Sequence, residues 1–156
     1  MRTSVPETRS KRTWYGITAQ VTLGARFIHW AGFGGVRVPH PPLANGLLRI
    51  GLPDEVKLRL SFAHEFAHFQ TAPAALVYMI VLLVATHPTG RIGMLTILIV
   101  LASGHTVWER LSEGLVVLED PVGYRELYAG ISMLGRSLFW VAGVALTATG
   151  LAAVMM

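Results

Sequence analysis

Two stretches of this chain are too poor in charge to face water along their length. Residues 71–108 carry one charged side chain, Arg91, and the nineteen residues from Leu138 to Met156 carry none. The other charges crowd into residues 1–70 and 109–126, with Arg136 alone beyond them. Only 14% of the chain is charged and 53% is hydrophobic, against about a quarter charged in an ordinary soluble domain. Apolar blocks separated by polar connecting segments predict a membrane protein. At 156 residues the whole chain, 1–156, makes a single domain.

Residues 1–13 read as a polar, basic tail carrying Arg2, Arg9, Lys11 and Arg12. No uninterrupted apolar core with a cleavage site follows them, so they do not resemble a signal peptide. Residues 14–40 read as an interfacial segment followed by short extended structure, with Val36-Arg37-Val38 a candidate strand ended by Pro39, Pro41 and Pro42. Asn45-Gly46 suggests a turn. Pro53-Asp54-Glu55 opens a helix with its acids at the positive dipole end, and this helix runs to about Gln70.

Thr71 to Thr86 continues it as an apolar run, and His87-Pro88-Thr89-Gly90-Arg91 breaks it. Ile92 to Val107 is a second apolar run, ended by Glu109, Arg110 and Glu113. By length these runs fit either a soluble buried hairpin or a short membrane hairpin, and their lack of charge favours the second. The expected fold is therefore mainly α and integral to the membrane. A helix leads into a transmembrane hairpin with arms 71–86 and 92–108, a third membrane helix covers 138–156, and a short extended segment lies at the N-terminus.

With the polar face of the hairpin inside, twelve of the thirteen Lys and Arg residues lie on or at that side, and Arg91 alone lies outside. The positive-inside rule then puts that face in the cytoplasm, in a cell inner membrane. The net charge of +4 does not imply nucleic acid, because no basic cluster alternates with aromatics. The chain has no cysteine, which excludes disulfides, thiolate metal sites and cysteine nucleophiles.

The chemistry begins at His64-Glu65-Phe66-Ala67-His68. Residues four apart share a helix face, so His64 and His68 can turn their imidazoles toward one metal ion. Glu65 lies one position round, placed to act on a water rather than on the metal. Catalytic zinc takes three protein ligands, and the hairpin supplies a third. Its loop centres near Thr89, about as far from His68 as from Glu109, and equal helical arms bring their far ends to one depth. Glu113 and His105 lie one turn to either side of Glu109. His105 fits three roles: a partner behind the ligands, a donor to a developing oxyanion, or a histidine of the membrane interface.

Leu47-Leu48, Leu52-Pro53-Asp54-Glu55-Val56 and Ala63-His64-Glu65-Phe66-Ala67-His68 resemble the zinc-site stretch of integral-membrane gluzincins. These are the HtpX-like and CAAX-prenyl endopeptidases and the peptidase domain of BlaR-type β-lactam sensors. In them a hydrophobic hairpin follows HExxH, and a Glu-x-x-x-Asp motif supplies a zinc ligand and an aspartate behind a histidine. Glu109-Arg110-Leu111-Ser112-Glu113 falls at that place, and Gly123-Tyr124-Arg125-Glu126-Leu127-Tyr128-Ala129 resembles the helix start that follows. The similarity covers about residues 36–134. Glu113 departs from the family's Asp, and the family's preceding membrane helices have no counterpart, so the resemblance implies a pared-down peptidase core.

It further implies Zn2+ held by His64, His68 and Glu109, with Glu65 as general base in peptide-bond hydrolysis. Glu113 stands behind a histidine, and Tyr124, Arg125 and His105 are candidates for oxyanion stabilisation. The edge strand near Val36–Val38 is expected to hold an extended peptide. The implied partners are a peptide or protein substrate, the lipid bilayer and membrane-protein subunits. The alternative function is a catalytically inactive, peptidase-like subunit of a larger membrane complex. A di-iron carboxylate protein, suggested by Glu65-x-x-His68, requires a second Glu-x-x-His, and neither Glu109 nor Glu113 has a histidine three residues later.

Overall fold

In the computed structural model, residues 6–25, 28–30, 34–39, 54–86 and 93–155 are described. The expected turns at Asn45-Gly46 and at His87–Arg91, with Pro41, Pro42 and the 47–53 portion of the gluzincin-like stretch, lie outside them.

Four strands form one sheet: β1 (Glu7–Arg12), β2 (Thr18–Leu23), β3 (His29–Trp30) and β4 (Gly35–Val38), in the order β1-β2-β4-β3. β1 and β2 pair antiparallel, β2 and β4 parallel, and β3 and β4 antiparallel. The β1–β2 connection closes on Thr13, whose Oγ1 donates to the Ile17 carbonyl at 2.8 Å. Gly16 supplies the left-handed turn residue there, with φ +92°, a conformation open to glycine at little cost. Period-two alternation along β2 buries Ala19, Val21 and Leu23, and β4 adds Val36 and Val38.

Two sequence-based expectations change here. The basic tail becomes strand β1 from Glu7 onward. Val36–Val38 is not a sheet edge: β2 flanks it on one side, and on the other His29 and Trp30 pair with Arg37 and Val36. Val36 and Arg37 are flanked by a strand on both sides, so β-augmentation by a peptide has no free edge along those two residues.

The helices are α1 (Asp54–Thr86), α2 (Met94–Glu119), α3 (Pro121–Gly130) and α4 (Met133–Met155). α1 serves two neighbours. Phe62, Phe66 and Phe69, spaced i, i+4, i+7, pack under the sheet with Ala19, Val21 and Leu23. Leu60 and Ala67, on another face, pack with Val116 of α2. α3 begins at Pro121 with Asp120 as its N-cap, the carboxylate accepting from the Gly123 N–H at 3.0 Å.

Pro73 lies inside α1 without ending it. Proline has no N–H, so it leaves the carbonyl four residues back, that of Phe69, without its helical donor. The Tyr15 hydroxyl donates to that carbonyl at 2.6 Å, and Trp14 Nε1 donates to the Gln70 carbonyl at 2.8 Å. The β1–β2 turn is thereby pinned to the helix where its backbone is open. Tyr15→Phe is expected to destabilise the fold by about 1 kcal/mol, the net contribution of one hydrogen bond. A lowered thermal midpoint in detergent checks this.

Among the described residues, three helices are long and apolar enough to cross a membrane: Glu55–Thr86, Met94–Glu119 and Met133–Ala152. Their outward faces carry large apolar side chains, among them Val77, Ile80, Val84, Leu95, Leu98 and Val144. Where helices meet, the contacts are small or hydroxyl-bearing. The Tyr78 hydroxyl pairs with Ser103 Oγ at 2.8 Å, Gly104 lies against Met79, and Gly150 lies against Ser103. Such close approaches are typical of helices that associate without water to drive them together.

Candidate metal centre

α1 and α2 run antiparallel, and their cross-contacts fix one register. Tyr78 meets Ser103, Thr71 meets Ser112, and Trp108 Nε1 donates to the His68 carbonyl at 2.8 Å. This register brings the histidines of α1 level with the acids of α2.

His64 Nε2 and His68 Nε2 stand 3.0 Å apart. Glu109 Oε2 is 3.4 Å from His64 Nε2, and Glu109 Oε1 is 3.5 Å from His68 Nε2. One donor atom from each of the three residues lies within 4.8 Å of the others. The opposite ring nitrogens are occupied. His64 Nδ1 lies 3.5 Å from Glu113 Oε1, and His68 Nδ1 lies 3.0 Å from Ser112 Oγ. With each Nδ1 facing a polar neighbour, the two Nε2 atoms and the Glu109 carboxylate turn toward one point, where a proton shared between them or a metal ion offsets their repulsion.

The donor set fits zinc. Two ligand atoms bound to a tetrahedral zinc at about 2.0–2.2 Å stand roughly 3.3–3.5 Å apart, close to the separations found. Two imidazoles and one carboxylate are also one of the ligand sets that catalytic zinc takes. Both imidazoles are largely shielded, with 27% of the His64 and 14% of the His68 side chain exposed.

Each expected site residue now has a place. Glu65 is half-buried on α1 and interacts electrostatically with His64 and Glu109. Glu113 is one methylene longer than the aspartate of the gluzincin motif and reaches the Nδ1 side of His64. Tyr124 stands behind Glu113. Burial, and the hydrogen bond it donates to the Glu113 carboxylate, raise its hydroxyl pKa well above the usual phenol value, so it remains a donor. His105 lies at the rim, 66% exposed, with Nε2 3.5 Å from Glu109 Oε1. Arg125 is exposed on α3 and makes no hydrogen bond or ion pair to the site among the described residues. An open cleft of about 350 Å3 is lined by Arg59 and Ala63 of α1 with Glu119 and Asp120, and none of the three converging residues lines it.

Three contributors escape a reading of the sequence: Ser112, Trp108 and Thr71. Ser112 lies inside the Glu109–Glu113 motif, and a fully buried serine there signals a polar partner across the helix pair. Trp108 packs edge-on against the His68 ring, with centroids 4.9 Å apart.

Comparison with family models, with curated proteins and with solved structures finds no match. The functional reading therefore rests on the site's own geometry and chemistry.

Proposed function

We propose that this chain is a membrane-embedded zinc metallopeptidase of gluzincin type, with His64, His68 and Glu109 as its metal ligands. The observation that carries the reading is the convergence of three lone-pair donors at tetrahedral spacing while both Nδ1 atoms are held from behind. His64, His68 and Glu109 would hold the zinc, which would supply Lewis acidity to the scissile carbonyl and to the attacking water. Glu65 accepts that water's proton and delivers it to the leaving amine. Glu113, itself held by Tyr124, orients His64. His105, at the exposed rim, is positioned to donate to the developing oxyanion.

The three long apolar helices support a site at the membrane face, with the sheet and α3 on the polar side. The distribution of Lys and Arg supports a cytoplasmic position for that side, in a cell inner membrane. Cysteines introduced at Ser10 and Gly93 are expected to label from opposite sides of the membrane. Labelling of both from one side would contradict a spanning hairpin.

The hydrolase reading is tested on purified protein with a library of unstructured peptides. Cleavage that stops on chelation and returns with zinc is the expected result. Zinc bound without cleavage of any peptide would favour the alternative of an inactive subunit in a larger assembly.

A further inference from the structure

A chain of hydroxyl groups stands behind His68, and its protons can be ordered. Thr71 Oγ1 donates to the Ala67 carbonyl at 2.7 Å. That carbonyl has no proton to give, so the single Thr71 proton is committed to it. Thr71 Oγ1 also lies 3.0 Å from Ser112 Oγ, and with its own proton spent it can only accept in that contact. The Ser112 proton therefore points to Thr71. Ser112 Oγ lies 3.0 Å from His68 Nδ1 and, its proton also spent, can only accept there. The remaining donor is Nδ1–H of His68. The reverse order, Thr71 to Ser112 to Nδ1, would leave Thr71 Oγ1 and the Ala67 carbonyl oxygen facing each other at 2.7 Å with no proton between them, beside a fully buried Ser112.

We propose that Thr71 and Ser112 form a hydroxyl relay that fixes His68 as its Nδ1–H tautomer and so presents the Nε2 lone pair to the metal. The relay starts at the helix backbone, and its direction follows from the one acceptor that cannot donate. It differs from the support of His64, which comes from a carboxylate. Both are positioning residues. Thr71 acts on His68 only through Ser112, from the turn below. The part of the proposal that concerns zinc rests on the metal reading above; the tautomer does not.

The test uses the full-length chain in detergent and has two readouts. In metal-free protein at alkaline pH, nitrogen-15 correlation spectra of the His68 ring are expected to show the Nδ1–H tautomer. Ser112→Ala removes the acceptor and shifts His68 toward Nε2–H. Thr71→Val, which keeps the side chain's shape, releases the Ser112 proton to donate to Nδ1 and produces the same shift. Zinc affinity is expected to fall about 10–100-fold in both variants, as when other groups behind metal-binding histidines are lost. Thr71→Ser keeps the hydroxyl and should retain the wild-type tautomer and affinity. A wild-type His68 in the Nε2–H form would overturn the proposal. So would Thr71→Val with unchanged tautomer and unchanged zinc affinity. If the tautomers respond as expected while wild-type protein binds no zinc, the relay stands and the metallopeptidase reading falls.

Discussion

Glu109→Gln is expected to reduce bound zinc from about one per chain toward none, whereas Glu113→Gln keeps zinc bound at about 10–100-fold lower affinity. The difference follows from which histidine nitrogen each carboxylate faces. Glu109 lies 3.4 and 3.5 Å from the two Nε2 atoms, so its replacement removes the one anionic donor among the three. An amide oxygen carries no formal charge to offset a divalent ion. Glu113 faces Nδ1 of His64, and its replacement leaves all three ligands in place while loosening the ring. Tyr124 limits that loosening, because its hydroxyl can still donate to the amide oxygen that takes the carboxylate's place. Metal analysis after gel filtration, with a competitive chelator titration, distinguishes the two variants. The reverse order would mean that α2 is rotated and that Glu113 is the ligand.

Glu65→Gln is expected to retain zinc at wild-type stoichiometry while peptide cleavage falls about 10²–10⁴-fold, the usual contribution of a general base. Glu65 interacts with His64 and Glu109 only through its charge and donates no atom to the converging set. Its amide is isosteric and cannot accept a proton from water. Equal cleavage by Glu65→Gln and wild-type protein would remove Glu65 from the mechanism. Loss of zinc in this variant would make Glu65 a ligand.

The convergence of His64, His68 and Glu109 was legible in the sequence because helices are regular. Counting equal arms from Thr89 predicts residue 68 opposite residue 109, and the contacts of Thr71 with Ser112 and Tyr78 with Ser103 run in the same antiparallel sense, offset from that count by about a turn. The three long apolar helices were legible from their lack of charge. Strand β1 was not, because its inward positions are Glu7, Arg9 and Lys11, opposite Leu23, Val21 and Ala19. These residues cover the core with their stems. The Arg9 guanidinium stacks on Phe62 at 4.3 Å, and Lys11 reaches Glu119 at 2.7 Å. A strand that satisfies its inner face with charge shows no period-two hydrophobic signal, though inward charge is a known way of protecting a sheet edge. The edge assigned to Val36–Val38 failed for a related reason: the two residues of β3 that cover it are too few to register as a strand. Thr71 and Ser112 escaped notice because hydroxyls in apolar helices ordinarily bond back to their own backbone. Thr71 does so, and its hydroxyl also meets Ser112 Oγ on the facing helix at 3.0 Å.

The central claim is that two imidazoles and one carboxylate hold a zinc ion, and metal content tests it most directly. Protein purified without chelator and equilibrated with zinc, then freed of loosely held metal, is expected to contain about one zinc per chain, with His64→Ala and His68→Ala each losing it. Wild-type protein that retains no zinc, or histidine variants that retain as much as wild type, would contradict the account.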